Sequence, residues 1–302
     1  MGLTGLARWI NAPQDGLQAI SKNIMENHNG AYKGPWNLAV KSYRSTLSQA
    51  PGFQIPSERT MFTLQMYDNV FVLLEDPLAP TRADVVQAII DKTAPPTFQP
   101  THYRTTFLTL NPPGALEQLL AQLKARWVPV RQGSTSGSTA QRGQTFGHQL
   151  IIEGAVFSIG SDWLVRAGIV TMTGGEIKGM LLEAEYLPLP TLNVGEAADG
   201  TSELLSNLLT SVLPNVPDAK TVAVTISDAQ WEDVLWDREE EEKTLKEVAQ
   251  AKEKEATGEA DDVFVYGDED IPTTRRGDWT GVDRDRRSAF LIIGALKSEG
   301  IL

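Results

Sequence analysis

Residues 149–187 read QLIIEGAVFSIGSDWLVRAGIVTMTGGEIKGMLLEAEYL. Three apolar runs lie in this stretch, over 149–159, 163–172 and 180–187, and short polar segments with glycine separate them, as is typical of consecutive antiparallel strands. In the last run, alternation places Glu183 and Glu185 on one face and four apolar side chains on the other, namely Met180, Leu182, Ala184 and Tyr186. Because carboxylates at alternate positions of a strand usually form its solvated side, we expect the glutamate face to be exposed.

The residues before this stretch predict similar elements in a repeated order. Strand, helix and a run of strands are predicted once over residues 3–92 and again from residue 103, where the second set ends in a helix over 201–213. The first helix follows a capping-box-like start at Asn11, and the helix after Asn111 carries leucines up to Trp127. We therefore predict an α+β fold with a mostly antiparallel, barrel-like sheet and flanking helices.

The composition changes towards the C-terminus. Residues 1–230 hold 16 basic and 19 acidic side chains, whereas residues 231–302 hold 11 and 20. We divide the chain into a barrel-like core domain over 1–230, an acidic, charged helix or linker, partly disordered, over 231–285, and a C-terminal apolar helix over 286–302. The sequence leaves open whether this terminal helix packs on its own chain or on a partner.

Composition excludes several classes of function. The 302 residues contain no cysteine, which removes disulfides, zinc ribbons, iron–sulfur sites and thiol nucleophiles, and favours a reducing compartment. The net charge of −12, without a basic cluster, argues against direct binding of nucleic acid. No apolar run approaches the roughly 20 residues of a membrane helix, and the N-terminus lacks the pattern of a signal peptide, so we expect a soluble protein without a membrane anchor.

Candidate chemistry is sparse. His28, His102 and His148 are far apart in the sequence, and none has a second ligand at metal-binding spacing. No glycine-rich phosphate loop or nucleophile motif is present, so no cofactor is predicted.

An enzyme remains the alternative reading. Glu153, Glu183 and Glu185 could line the interior of a barrel and act on phosphorylated ligands with a divalent metal. The sign of such a site would be that these carboxylates point inward and have Arg or Lys opposite them.

The stretch from Asp162 to Met172, followed by the stretch from Lys178 to Tyr186 and by Pro188, resembles the central signature of the Mediator complex subunit 20 family. The hairpin over 64–75, the helices over 114–127 and 201–213 and the ending over 286–296 are also similar. The resemblance implies a β-barrel-like fold, a heterodimer with Mediator subunit 18 and other partners in the head module, and non-catalytic coregulation of RNA polymerase II transcription in the nucleus.

The family has also been called TATA-binding-protein-related, and direct binding of promoter DNA is a third reading. The charge of −3 over residues 1–230 disfavours it, because a DNA saddle needs cationic contacts with phosphates.

A permanent subunit interface is expected to use strand edges and apolar faces. The residues that we select as candidates for contact with the partner are Trp163, Val165, Phe290, Leu291, Ile293 and Leu296.

Overall fold

The computed structural model describes residues 3–46, 58–93, 95, 100–123, 127–130, 149–187, 203–213 and 282–302. The strands are β1 (Leu3–Trp9), β2 (Gly30–Ser45), β3 (Thr60–Met66), β4 (Asn69–Glu75), β5 (Thr105–Leu110), β6 (Trp127–Pro129), β7 (Gln149–Ile159), β8 (Trp163–Met172) and β9 (Ile177–Tyr186). The helices are α1 (Gly16–Asn27), α2 (Arg82–Ile90), α3 (Ala115–Gln122), α4 (Glu203–Val212) and α5 (Val282–Ser298).

All nine strands belong to one antiparallel sheet. Its order is β1-β9-β8-β7-β2-β3-β4-β5, and β6 pairs with β2 beside this path. The sheet is barrel-like but not closed, since no ladder joins β1 to β5 within the described residues. The predicted α+β class with flanking helices is confirmed.

The strand order explains the doubled pattern. At the centre, β2 and β7 run antiparallel, with Asn37 opposite Glu153. On one side follow β3, β4 and β5, and on the other side follow β8, β9 and β1. The first strand of each half therefore pairs with the last strand of the other half, so that neither half can complete its sheet alone.

The outer face of the sheet is partly covered by helices. Helices α1 and α4 pack on the side formed by β1 and β7 to β9, where Met180, Leu182 and Ala184 are buried as predicted. On the part of the same face that β3 and β4 form, Leu116 of α3 packs against Met61, Val70 and Val72. A helix face and a strand face, both apolar, are removed from water together in each case.

The concave face of the sheet is filled by α5. This helix starts at Val282, four residues before the predicted boundary, and its buried residues belong to the same core cluster as the inward side chains of the strands. The buried aliphatic residues of α5 are Ala289, Leu291, Ile292, Ile293, Ala295 and Leu296. The terminal helix thus packs on its own chain.

Three local predictions are wrong. The capping box at Asn11 does not form, because α1 begins later, after Asp15, whose side chain makes no capping hydrogen bond. The alternation over 60–66 predicts a half-exposed strand, but β3 is buried on both faces, because α3 covers Met61 on its outer side. Trp127 is not part of α3, which ends at Gln122; it lies in β6, opposite Ser45.

The acidic segment lies mostly outside the described residues, as does His148. Among the described helices, none combines the length and apolarity needed to cross a membrane.

Candidate functional site

A cluster of charged side chains lies on the concave face of the sheet, against the first turns of α5. Strand β8 contributes Arg166, and the neighbouring strand β9 contributes Glu183 and Glu185. Arg166 is opposite Glu183 in the strand register, and all three point to the inner side that Leu181 also occupies. Their exposed fractions are 3%, 0% and 1%, so that the charges are shielded from water.

Arg166 lies between the two carboxylates. Its Nη1 is 3.1 Å from Glu183 Oε1, and its Nη2 is 3.5 Å from Glu185 Oε2. Neither of these carboxylate oxygens makes a hydrogen bond within the described structure, nor does Arg166 Nη1. The contacts are therefore ion pairs without hydrogen-bond geometry.

Helix α5 supplies the other partners of the two carboxylates. Arg287 Nη2 donates to Glu185 Oε1 at 3.0 Å, and Arg284 Nε lies 3.0 Å from the same oxygen. The Ser288 hydroxyl donates to Glu183 Oε2 at 2.7 Å. Each glutamate thus contacts one residue from the sheet and at least one from the terminal helix.

Burial and neighbouring charges raise the pKa values of three groups in the cluster. Burial raises the pKa of Glu185, although Arg166 opposes this effect. For Arg166, burial favours the neutral form, but Glu183 and Glu185 outweigh it and raise the pKa. Burial also raises the pKa of Asp285 to about 6, against the attraction of Arg166. Three arginines and three carboxylates neutralise one another while Asp285 is ionised.

This arrangement is suited to recognition of a helix. A buried ion pair contributes little net stability, because desolvation of the charges offsets their attraction, but loss of one partner costs about 3–5 kcal/mol. Arg166, Glu183 and Glu185 therefore strongly disfavour any occupant that lacks matching groups. Arg287 and Ser288 of α5 provide such groups.

A second polar contact holds the other end of α5. Arg8, on β1, donates to Glu299 Oε2 at 2.9 Å, just after the helix ends. The same guanidinium donates to the carbonyl oxygens of Lys178 and Met180, at 2.8 and 3.3 Å. Arg8 is 1% exposed. Through these hydrogen bonds it joins β1 to β9 and both strands to Glu299.

The prediction of a solvated glutamate face on β9 is wrong. Both glutamates are buried, because α5 lies over them, about 100 residues later in the chain. The predicted grouping of three carboxylates is also wrong in part, because Glu153 is exposed on the outer face of β7, away from the inward-pointing Leu150 and Ile152.

The six candidates for contact with a partner occupy different environments. Val165, Leu291, Ile293 and Leu296 are at most 3% exposed in the core of this chain. Trp163 is partly buried, with its ring 4.7 Å from that of Tyr186. Phe290 is also partly buried, and its ring stacks edge-on against Phe107 at 5.6 Å. Contact with a partner remains a prediction for all six.

Two histidines have structural neighbours. His28 is the C-cap residue of α1 and contacts the carbonyl oxygen of Ser211, and His102 Nε2 is 2.9 Å from Asp76 Oδ2. Asp76 also accepts from Arg59 Nε at 2.7 Å. In the part of the chain that the structure describes, no three potential ligands group closely enough to hold a metal ion.

Comparison with protein families gives one match, and it covers most of the chain. A family model described as TATA-binding related factor (TRF) of subunit 20 of Mediator complex matches residues 1–237. This confirms the resemblance based on the signature in β8 and β9. Among curated proteins, none is significantly similar in sequence.

Several solved structures share a distant likeness. The PH1819 protein from Pyrococcus horikoshii OT3 is 11% identical, with a TM-score of 0.33, over 72% of this chain and 93% of that chain. HpAC1 from Hippeastrum, described as having a dominant triphosphatase activity, is 9% identical, with a TM-score of 0.32, over 72% and 93%. The Mimivirus capping enzyme triphosphatase is 10% identical, with a TM-score of 0.25, over 70% and 88%. TM-scores this low support no inference about the present chain.

Proposed function

This chain belongs to the Mediator subunit 20 family, and on that premise we propose that it is a non-catalytic subunit that pairs with Mediator subunit 18 in the head module. In this role it regulates transcription by RNA polymerase II in the nucleus. The observation that carries the proposal is the family match over residues 1–237, which include every described strand and α1 to α4.

The state of the concave face supports a non-catalytic role. Glu183 and Glu185 do point inward with arginine opposite, which is the sign that an enzyme would show. However, Arg287 and Ser288 occupy the remaining oxygens, and α5 fills the space that a substrate would need. With α5 in place, the alternative of an enzyme acting on phosphorylated ligands has no accessible site among these described residues.

The edge of β5 is the place where we expect subunit 18 to bind. Of the two strands at the ends of the sheet order, β1 is buried along Thr4–Trp9, whereas β5 exposes Thr105 and Leu108. An edge strand with unpaired backbone groups and an apolar exposed side chain is suited to pairing with another chain. Phe290 lies next to this edge through Phe107 and would lie at the border of the interface.

The proposal is tested by affinity purification of the tagged full chain from nuclear extract, with subunit 18 quantified by mass spectrometry. We expect subunit 18 at about one copy per chain, and its absence would overturn the pairing. In Leu108→Asp the yield of subunit 18 should fall at least tenfold, because a charge is brought into an apolar interface.

A matched control separates the interface from general damage. Met25, on α1, is 47% exposed and Leu108 is 43% exposed. Met25→Asp therefore introduces the same negative charge at similar exposure, on a helix that packs on β2, β7 and β8 and not on β5. Both variants should keep the wild-type melting temperature to within a few degrees. Equal recovery of subunit 18 by the two variants would place the interface away from β5.

A further inference from the structure

Helix α5 is held in the core by side chains. Like the other described helices, it makes no backbone hydrogen bond to a strand within the described residues. The family match ends at residue 237, whereas α5 starts at Val282. The matched region therefore forms a sheet whose concave face is filled by a segment outside the match.

The concave face would be a groove without α5. Its apolar floor includes Trp36, Leu64, Phe71 and Ile152, all fully buried by the present packing. Glu183 and Glu185 lie near one end of the helix site, and Arg8 lies near the other. Charges of opposite sign at the two ends define the direction in which a helix can enter.

Basic side chains near the start of α5 match these charges. Arg284, Arg286 and Arg287 lie in the first two turns, together with Asp283 and Asp285. Arg287 donates to Glu185, and Arg286 donates to the carbonyl oxygen of Phe107 at 3.3 Å. Both of these arginines therefore bind groups that the sheet presents to the helix.

We propose that the concave face is a helix-binding site and that α5 is its resident ligand, bound without need of a covalent connection. The ligand class is an amphipathic helix with arginine and serine at its basic N-terminal end, an apolar stripe, and a glutamate after its C-terminal end. A separate peptide with this pattern, such as residues 282–302, can therefore occupy the groove in place of the tethered helix. The proposal does not depend on which Mediator subunit binds the outer surface.

The test uses the full chain with a protease recognition sequence in place of part of the acidic run over 237–262. After cleavage of the folded protein, gel filtration should show the C-terminal fragment eluting with the core. A fluorescent peptide of residues 282–302, added in excess, should then replace the fragment, as measured by fluorescence anisotropy. Dissociation of the fragment on cleavage, or failure of the peptide to enter, would overturn the proposal.

Variant peptides test the recognition chemistry without any risk to the folding of the core. The peptide with Arg287→Glu should bind at least a hundredfold more weakly, because it places a carboxylate beside Glu185. The peptide with Gly294→Ala should bind about threefold to fivefold more tightly, since Gly294 is exposed, a Cβ there would meet nothing within 4 Å, and alanine favours the helix. Equal binding of the Arg287→Glu and unchanged peptides would show that the charges do not select the ligand.

Discussion

Arg166→Met removes the positive charge that β8 contributes to the buried cluster, while it keeps most of the side-chain volume. In the wild-type protein, the Arg166 guanidinium lies 3.1 Å from Glu183 and 3.5 Å from Glu185. Without it, the two carboxylates repel each other with no cation between them. Arg284 and Arg287 still neutralise Glu185, so that the loss falls mainly on Glu183, to which Ser288 donates. Removal of one partner of a buried pair costs about 3–5 kcal/mol.

That loss is large compared with the total stability of a domain, which is roughly 5–15 kcal/mol. With a urea dependence of about 2 kcal/mol per molar, the midpoint of unfolding should fall by about 2 M. The assay is equilibrium unfolding in urea at pH 7, followed by far-ultraviolet circular dichroism. The second change Glu183→Gln, made in the Arg166→Met background, should restore part of the lost stability because it removes the unpaired charge.

The control is Arg44→Met. Arg44 forms an exposed ion pair with Glu58 at 3.8 Å, with both side chains more than half exposed, and its loss should change stability by less than about 1 kcal/mol. If Arg166→Met were as mild as Arg44→Met at pH 7, the description of a closed ion cluster under α5 would be refuted.

Three further changes test other parts of the structure. Asp285→Asn should stabilise the protein at pH 7. Burial raises the pKa of Asp285 from 3.8 to about 6, so the folded state binds more protons than the unfolded state between these pH values. The stability of the wild-type protein should therefore rise as the pH falls from 7 towards 4. Melting temperatures of both proteins at pH 5 to 8 measure this, and parallel curves would contradict it. Gly154→Ala should cost at least about 3 kcal/mol, because its Cβ would lie 1.8 Å from the carbonyl oxygen of Ala167, whereas Gly114→Ala, with open space around it, should be near neutral in the same thermal unfolding assay. Leu296→Ala should cost about 2–5 kcal/mol in urea unfolding because this side chain is fully buried on α5, and a loss below about 1 kcal/mol would mean that α5 does not fill the concave face.

The sequence predicted the elements of the sheet well, because strand periodicity and turn residues are local signals. The alternation in β9 correctly separated Met180 and Leu182 from Glu183 and Glu185. It could not reveal that both faces are covered, because the cover of the glutamate face is α5, far along the chain. The available hint was a terminal apolar segment with arginines before it, next to a strand with two carboxylates.

Other differences have the same physical origin. In α3, the leucine spacing predicted a broad buried face, but Leu116 is buried while Leu119 is 48% exposed, because the helix ends at Gln122 and the chain turns into β6. Glu153 and Glu183 look alike as single carboxylates within apolar strands, yet they face opposite sides of the sheet. The register between β7, β8 and β9 decides this, and a single sequence does not contain it.

The interlocked strand order and the late position of α5 affect how the protein is made on the ribosome. The sheet cannot be completed until β9 ends at Tyr186, and the helix that covers its concave face begins only at Val282. At about 5–20 residues per second, the 95 residues between Tyr186 and Val282 take roughly 5 to 19 seconds to synthesise. During that time the apolar concave face of the sheet is exposed on the nascent chain, and we expect chaperones to bind it.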